Sequence, residues 1–416
     1  MRKSIQIVFY ILLPMLLFSQ ETPVNDSINK AKINVYVDCS SCDMNYVKEE
    51  VGFVNYVRDR AEAQVHILTT SEPSGSGGTR YSVMFFGMRE FSGHNDTLTF
   101  NSTADATENS IRNQFVTTFK LGLIGYVNKS DIASLISISF TNPEDEEQVK
   151  DKWNNWTFSL SSSSWLNGEK TYSNFNIYSD FEVSKVMPEW KTSFSISQSY
   201  NESRYSLEEY DYYYKSINRG FYSDFEYVGA LSRHWSWGAF LYGNSSTYRN
   251  LDYSVSFNPG IEYDLFPYSE ATTKQVRFVY HLGPDYNNYI DTTIYNKTEQ
   301  LMFYQSFSVA AKVIQKWGSL SGSVSASTFL NDLSKYSADI YLSTSVRLVK
   351  GLELDLSGNF SSIHNQLGIP KGDVTQEELL LQQRQLETQY NYWASIGLTY
   401  TFGSIYNTVV NPRFGF

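Results

Sequence analysis

Cysteine is nearly absent: Cys39 and Cys42 are the only two in 416 residues, so no second pair exists to complete a four-thiolate zinc site. Beyond the N-terminus there is no run of the roughly 20 apolar residues that a spanning helix needs. Basic charge is in deficit, 33 Lys and Arg against 44 Asp and Glu for a net −11, which gives no support to nucleic-acid binding. Histidines number five. Aromatics, by contrast, are abundant: 32 Tyr, 27 Phe and 8 Trp bring the aromatic fraction to 16%. Mean hydropathy is negative, as in soluble proteins. It is equally so in transmembrane barrels, where every second residue faces a polar interior and aromatic girdles mark the interfaces.

Arg2 and Lys3 precede an apolar run from Ile5 to Phe18 and then Ser19-Gln20. A basic start, a short apolar stretch and a small residue at the cut describe a secretory signal peptide over 1–19. The run is too short for a spanning anchor, and no Cys marks a lipoprotein cut.

Two textures follow. Residues 31–130 mix helix and strand patterns, and 152–403 are nearly all strand. The acidic run Asn142-Pro143-Glu144-Asp145-Glu146-Glu147 lies in a solvated linker at 131–151, and 404–416 form a tail. In the first region Lys32–Asp38 alternates as a strand, a short helix follows Asp43, and Ala63–Leu68, Tyr81–Phe86 and Asp96–Phe100 read as strands. Ile111, Phe115, Phe119 and Leu123 recur every four residues, so 108–126 reads as an amphipathic helix covering a sheet.

The second region alternates with period 2, which sends neighbouring side chains to opposite faces. Leu352, Leu354, Leu356 and Phe360 oppose Glu353, Asp355, Ser357 and Asn359; Ala338, Ile340, Leu342 and Val346 oppose Asp339, Tyr341 and Arg347. Val276, Phe278 and Tyr280 oppose Arg277, and further rows contain Phe175, Ile177, Phe181 and Val183, and Leu301, Phe303 and Phe307. About twelve such strands, each near the ten residues of a tilted span, predict an antiparallel transmembrane β-barrel behind an α+β domain. Short connections near 187–188, 233–234, 315–316 and 350–351 alternate with longer ones near 201–214, 284–298 and 364–389. Trp190, Trp235 and Trp317 lie at the short ends, as an aromatic girdle would. An even strand count returns both chain ends to the periplasmic side. On this reading Arg277, Asp339, Arg347, Glu353 and Asp355 face the lumen, since an Arg at the lipid midplane costs roughly 2–4 kcal/mol.

The last strand, Ser395 to Phe402, reads SIGLTYTF. Ser395, Gly397, Tyr400 and Phe402 resemble the C-terminal signal by which outer-membrane barrels are passed to the barrel-assembly machinery. Two stretches also resemble an uncharacterised family of outer-membrane proteins of the Bacteroidota. One comprises Val35 to Asp43 (VYVDCSSCD), Phe53 to Arg60 (FVNYVRDR), Ala63 to His66 and Gly75 to Gly78; the other is the tail from Phe402 to Phe414 (FGSIYNTVVNPRF). The resemblance implies an outer-membrane location with the N-terminal domain in the periplasm of a Gram-negative cell. It brings no catalytic or binding residue with it.

Chemistry-bearing residues are sparse. Cys39 and Cys42, spaced C-x-x-C between a strand end and a helix start, form either a structural disulfide, a redox pair, or part of a metal site with His66 or Asp38. Gly75, Gly77 and Gly78 join two strands and lack the Lys-Ser/Thr of a phosphate loop. Arg58-Asp59-Arg60 is a charged turn. His281 and His364 approach the outer rim without a hydrolase motif around either. The loop 376–384 reads as a short amphipathic helix, and Tyr210, Tyr212, Tyr213 and Tyr214 as an outer girdle. No cofactor and no enzymatic activity are expected. The expectation is a barrel that anchors a small periplasmic interaction domain, in contact with outer-membrane lipid and an envelope protein partner. A narrow channel for small solutes is the alternative, and an outer-membrane hydrolase a more distant one.

Overall fold

A computed structural model describes residues 31–74, 77–137, 151–207, 212–372, 384–406, 408, 410 and 413. The expected signal peptide, the acidic run, Gly75, Tyr210, residues 376–383 and Phe414 lie outside the described residues. No helix among those described is long and apolar enough to cross a membrane.

The first unit comprises β1 (Asn34–Asp38), α1 (Met44–Glu50), β2 (Asn55–Tyr56), β3 (Val65–Pro73), β4 (Thr79–Gly87), β5 (Asn95–Ser102) and α2 (Glu108–Val127). Its sheet runs β2-β1-β3-β4-β5, parallel across β2-β1-β3 and antiparallel across β3-β4-β5. Each helix starts at a side-chain cap that satisfies an orphan backbone donor: Asp43 accepts the Tyr46 N–H, and Thr107 the Ser110 N–H. The four-residue rhythm read in the sequence places Phe115, Phe119 and Leu123 of α2, together with Tyr126, against Val83 and Phe85, all in the buried core. Gly122 is required there, because a Cβ at that position would sit 2.1 Å from the Phe85 ring. Two features escaped the pattern reading. The two-residue β2 is too short to show a period, and the domain continues past 130, because Ile132 packs into the same core.

The second unit is a sheet of thirteen segments: β6 (Trp156–Gly168), β7 (Tyr172–Val186), β8 (Trp190–Leu207), β9 (Tyr212–Ala230), β10 (Trp235–Ser246), β11 (Leu251–Phe257), β12 (Gly260–Asp264), β13 (Lys274–Tyr289), β14 (Glu299–Gln315), β15 (Gly318–Phe329), β16 (Asp332–Val349), β17 (Leu352–Ile363) and β18 (Tyr390–Tyr400). Sequential strands pair antiparallel throughout. β11 and β12 are one strand: Phe257 pairs with Leu241 and Gly260 with Gly238 in unbroken register, interrupted where Pro259 has no N–H to give. Twelve strands therefore make the path. β6 and β18 are its ends, and no pairing between them occurs among the described residues.

The two faces differ as the alternation predicts. Across β13 to β18 one row joins Phe278, Val309, Val324, Ile340, Phe360 and Tyr392. Much of this face is open to the surroundings: Leu160 is 81% exposed and Ile396 78%. A soluble sandwich would cover such a row with a second layer. Among the described residues none does.

Connection lengths follow the expected asymmetry only in part. The turns 187–189, 231–234, 316–317 and 350–351 are short, but 265–273 at the same end is long. At the opposite end 330–331 is tight and the described part of 201–214 is strand, because β8 and β9 run on into it, whereas the long connection expected near 284–298 is present as 290–298.

Candidate functional site

The polar face carries the five charged residues read from the sequence, in four settings. Arg277 lies 3.7 Å from Glu262 of β12. Asp339 stands in register between Ser325 and Ser361. Asp355 faces Gly397, where a Cβ would reach 3.4 Å from the aspartate Cβ. Arg347 and Glu353 are paired across β16 and β17, 4.0 Å apart, and Glu353 also accepts the Ser345 hydroxyl at 2.6 Å. The sequence reading overlooked the same face of β7 to β9. There Asp180 accepts Ser197 at 2.6 Å, Asp224 accepts Ser195, and Glu226 pairs with Lys191 at 3.1 Å. Asp180 interleaves with the apolar row of β7, so the signal was present.

Arg347 leads out of the sheet. Its guanidinium lies 2.9 Å from Asp38 of the first unit and 5.4 Å from the centre of the Tyr36 ring. Tyr36, His66 and Phe86 stand in register across β1, β3 and β4. Lys316, in the β14–β15 turn, sets its ammonium 3.9 Å above the Phe86 ring, and its carbonyl accepts Arg60 at 3.1 Å. The β16–β17 turn holds on as well: the Gly351 N–H donates to Asp59 at 2.8 Å, and Lys350 pairs with Glu62. That pairing, with a contribution from Arg89, holds the Glu62 carboxyl below its ordinary range. A cavity of about 770 Å³ lies along this junction, bordered by Lys48, Arg58 and Leu352 among others.

His66 is fully buried there, and neither ring nitrogen has a hydrogen-bond partner. Burial pushes its pKa down to about 3, helped by the nearby Arg60, Arg347 and Lys316. It stands 3.9 Å from Asp38, yet at neutral pH this is no ion pair, since burial keeps the ring uncharged. Tyr36 beside it is raised, by burial first and against the pull of Arg347.

The C-terminal segment completes the junction. β18 spans Tyr390–Tyr400 rather than Ser395–Phe402; Ser395, Gly397 and Tyr400 pair with Ser357, Asp355 and Leu352, whereas Phe402 lies past the strand and stacks on Tyr400 at 5.4 Å. The tail is not free. Ile405 accepts the Arg58 N–H at 3.0 Å, Tyr406 bridges Val57, and Thr408 accepts the Tyr56 N–H at 3.1 Å. It thus supplies partners at the β2 edge of the first sheet, which would otherwise offer unpaired donors.

Cys39 and Cys42 are joined by a disulfide in the turn from β1 to α1. With the sulfurs bonded to each other, neither is a thiolate ligand to share with His66 or Asp38. His281 lies within β13 rather than at a rim, opposite Ser306 and lining a pocket with Ser256 and Asp285, and no hydrogen bond links it to either serine or the aspartate among the described residues. His364 stacks on Tyr336 at 4.5 Å. Trp190 and Trp235 open β8 and β10, and Lys185 lies 5.7 Å from both the Trp156 and Trp190 rings, an arrangement suited to an interfacial belt.

No protein-family model and no curated protein matches the chain. Among solved structures, the NanC porin in a rhombohedral crystal form aligns with 58% of this chain and 99% of its own at 8% identity; its TM-score of 0.28 is too low to carry an argument.

Proposed function

We propose that the chain is an outer-membrane β-barrel protein of a Gram-negative envelope, whose short-turn mouth is capped by its own N-terminal domain. The barrel closes by pairing β6 with β18, meets outer-membrane lipid with its apolar face, and depends on the barrel-assembly machinery for insertion. It anchors the α+β domain in the periplasm, where that domain meets an envelope protein. The observation that carries the reading is Arg347. It belongs to the polar face at the short-turn end of the sheet and pairs with Asp38 of the domain, which supports docking over the mouth of the barrel rather than against its outer wall. No catalytic step is assigned. A second reading, a narrow channel for small solutes, draws on the hydrophilic polar face, where Ser319, Ser321, Ser323, Ser325 and Ser327 follow one another along β15.

Planar-bilayer recording separates the two. The intact chain is expected to be silent, and the double substitution Arg347→Glu with Lys350→Glu to produce conductance steps by loosening the cap. Large steady steps from the intact chain would sink the capped reading and leave the channel.

A further inference from the structure

The apolar row of β8 does not stay apolar to its end. From Trp190 it runs through Thr192, Phe194, Ile196, Gln198 and Tyr200, and then reaches Glu202 and Arg204. β9 sets Arg219 opposite Tyr200 and Lys215 opposite Arg204. The Glu202 side chain is 10% exposed and is gripped on three sides: by the Tyr200 hydroxyl at 2.6 Å, Arg204 at 2.5 Å and Lys215 at 3.1 Å. The Arg219 guanidinium lies 6.0 Å from the centre of the Tyr200 ring. One carboxylate is therefore shared by two cations, with a third beside the Tyr200 ring, on the face that also carries Phe194 and Ile196.

In hydrocarbon such a cluster would be expensive. Its level removes the conflict. A tilted spanning strand uses about 9–11 residues, and Trp190 to Tyr200 fills that length between two aromatic belts. Glu202, Arg204 and Lys215 then stand in the headgroup layer, at the end opposite the N-terminal domain, facing lipid. Phosphate is the anion that guanidinium and ammonium groups meet in that layer.

We infer that Arg204, Lys215 and Arg219 bind the phosphate-bearing headgroup of an outer-leaflet lipid, with Glu202 holding Arg204 and Lys215 in place and the Tyr200 ring beside Arg219. The inference rests on the membrane-barrel reading. The test uses the full chain refolded in a zwitterionic detergent and checked first for a heat-modifiable folded band. Native mass spectrometry then follows binding of phosphatidic acid, of diacylglycerol with the same acyl chains, and of inorganic phosphate. Saturable binding of phosphatidic acid alone is expected, weakened at least tenfold in the Arg204→Gln, Lys215→Gln, Arg219→Gln variant. Equal binding by the triple variant, or by diacylglycerol, would overturn the site. Displacement of phosphatidic acid by an equal concentration of inorganic phosphate would overturn it too, by making the cluster a free-anion site. Absence of the folded band in the wild type would remove the barrel, a failure recognisable before any lipid is added.

Discussion

In the first unit Val35, Phe85 and Phe119 are fully buried, whereas in the second Leu160, Ile396 and Leu398 are 81%, 78% and 66% exposed. Both sets come from regular apolar spacing, and both belong to strands or helices with good local patterning. What differs is where the apolar side chains find company. The first unit hides them from water in its own core, at roughly 1.5–3 kcal/mol per large side chain. The second turns them outward and places serine and charge on its other face, an inversion that is stable only if the surroundings are themselves apolar. The chain thus contains one unit with a covered apolar core and one with an open apolar face, which the proposed function sets in lipid, joined through Arg347, Lys316 and the C-terminal tail.

The largest expected effect tests the half with the covered core. Phe119→Ala empties the centre of the first core and should cost about 3–5 kcal/mol, read by urea unfolding with hydrogen exchange on α2, while the heat-modifiable band of the second unit stays unchanged. A parallel loss in both units would mean that they are not separately stabilised. Next comes the half with the open apolar face. Ile340 and Asp339 are neighbours on β16 that point to opposite faces. Ile340→Arg should destabilise the bilayer-folded protein by about 2–4 kcal/mol, and Asp339→Arg by no more than about 0.5 kcal/mol. Equal costs for the two would place the apolar face in water and end the membrane reading.

Most of the elements could be read from the sequence because each repeats a period several times. The four-residue rhythm from Ile111 to Leu123 defines α2, and the strict alternation of β16 and β17 fixes which residues share a face. The site was less legible because it is made by long-range register. Nothing local shows that Tyr36, His66 and Phe86 line up across three strands, or that Arg347 reaches Asp38. Likewise Ile405 and Thr408 reveal no partner until β2 exists, and β2 is two residues long. Loop lengths misled for a related reason. Polar strand ends such as Tyr212–Lys215 look like loop, because an antiparallel ladder rewards backbone pairing whatever the side chains are.

The effect that is smallest at neutral pH probes the seam between the halves. His66 has an ordinary pKa of about 6.5 when unfolded and about 3 in the folded chain, chiefly from burial and then from Arg60, Arg347 and Lys316. Between those values the unfolded chain binds a proton that the folded chain refuses, so stability rises with pH and is lost on acidification from about 6.5 toward 3. The slope is at most about 1.4 kcal/mol per pH unit, and it vanishes above neutrality, where His66 is uncharged in both states. His66→Leu should remove this component, so that the difference between variant and wild type grows as pH falls. Arg347→Gln, which takes away one facing cation from the second unit, should raise the His66 pKa and narrow the window, as followed by NMR titration of the imidazole. A His66 that titrates near 6.5 in the intact chain, with no shift on Arg347→Gln, would mean that the polar face of the sheet does not close over the domain, and that the two units are tethered rather than docked.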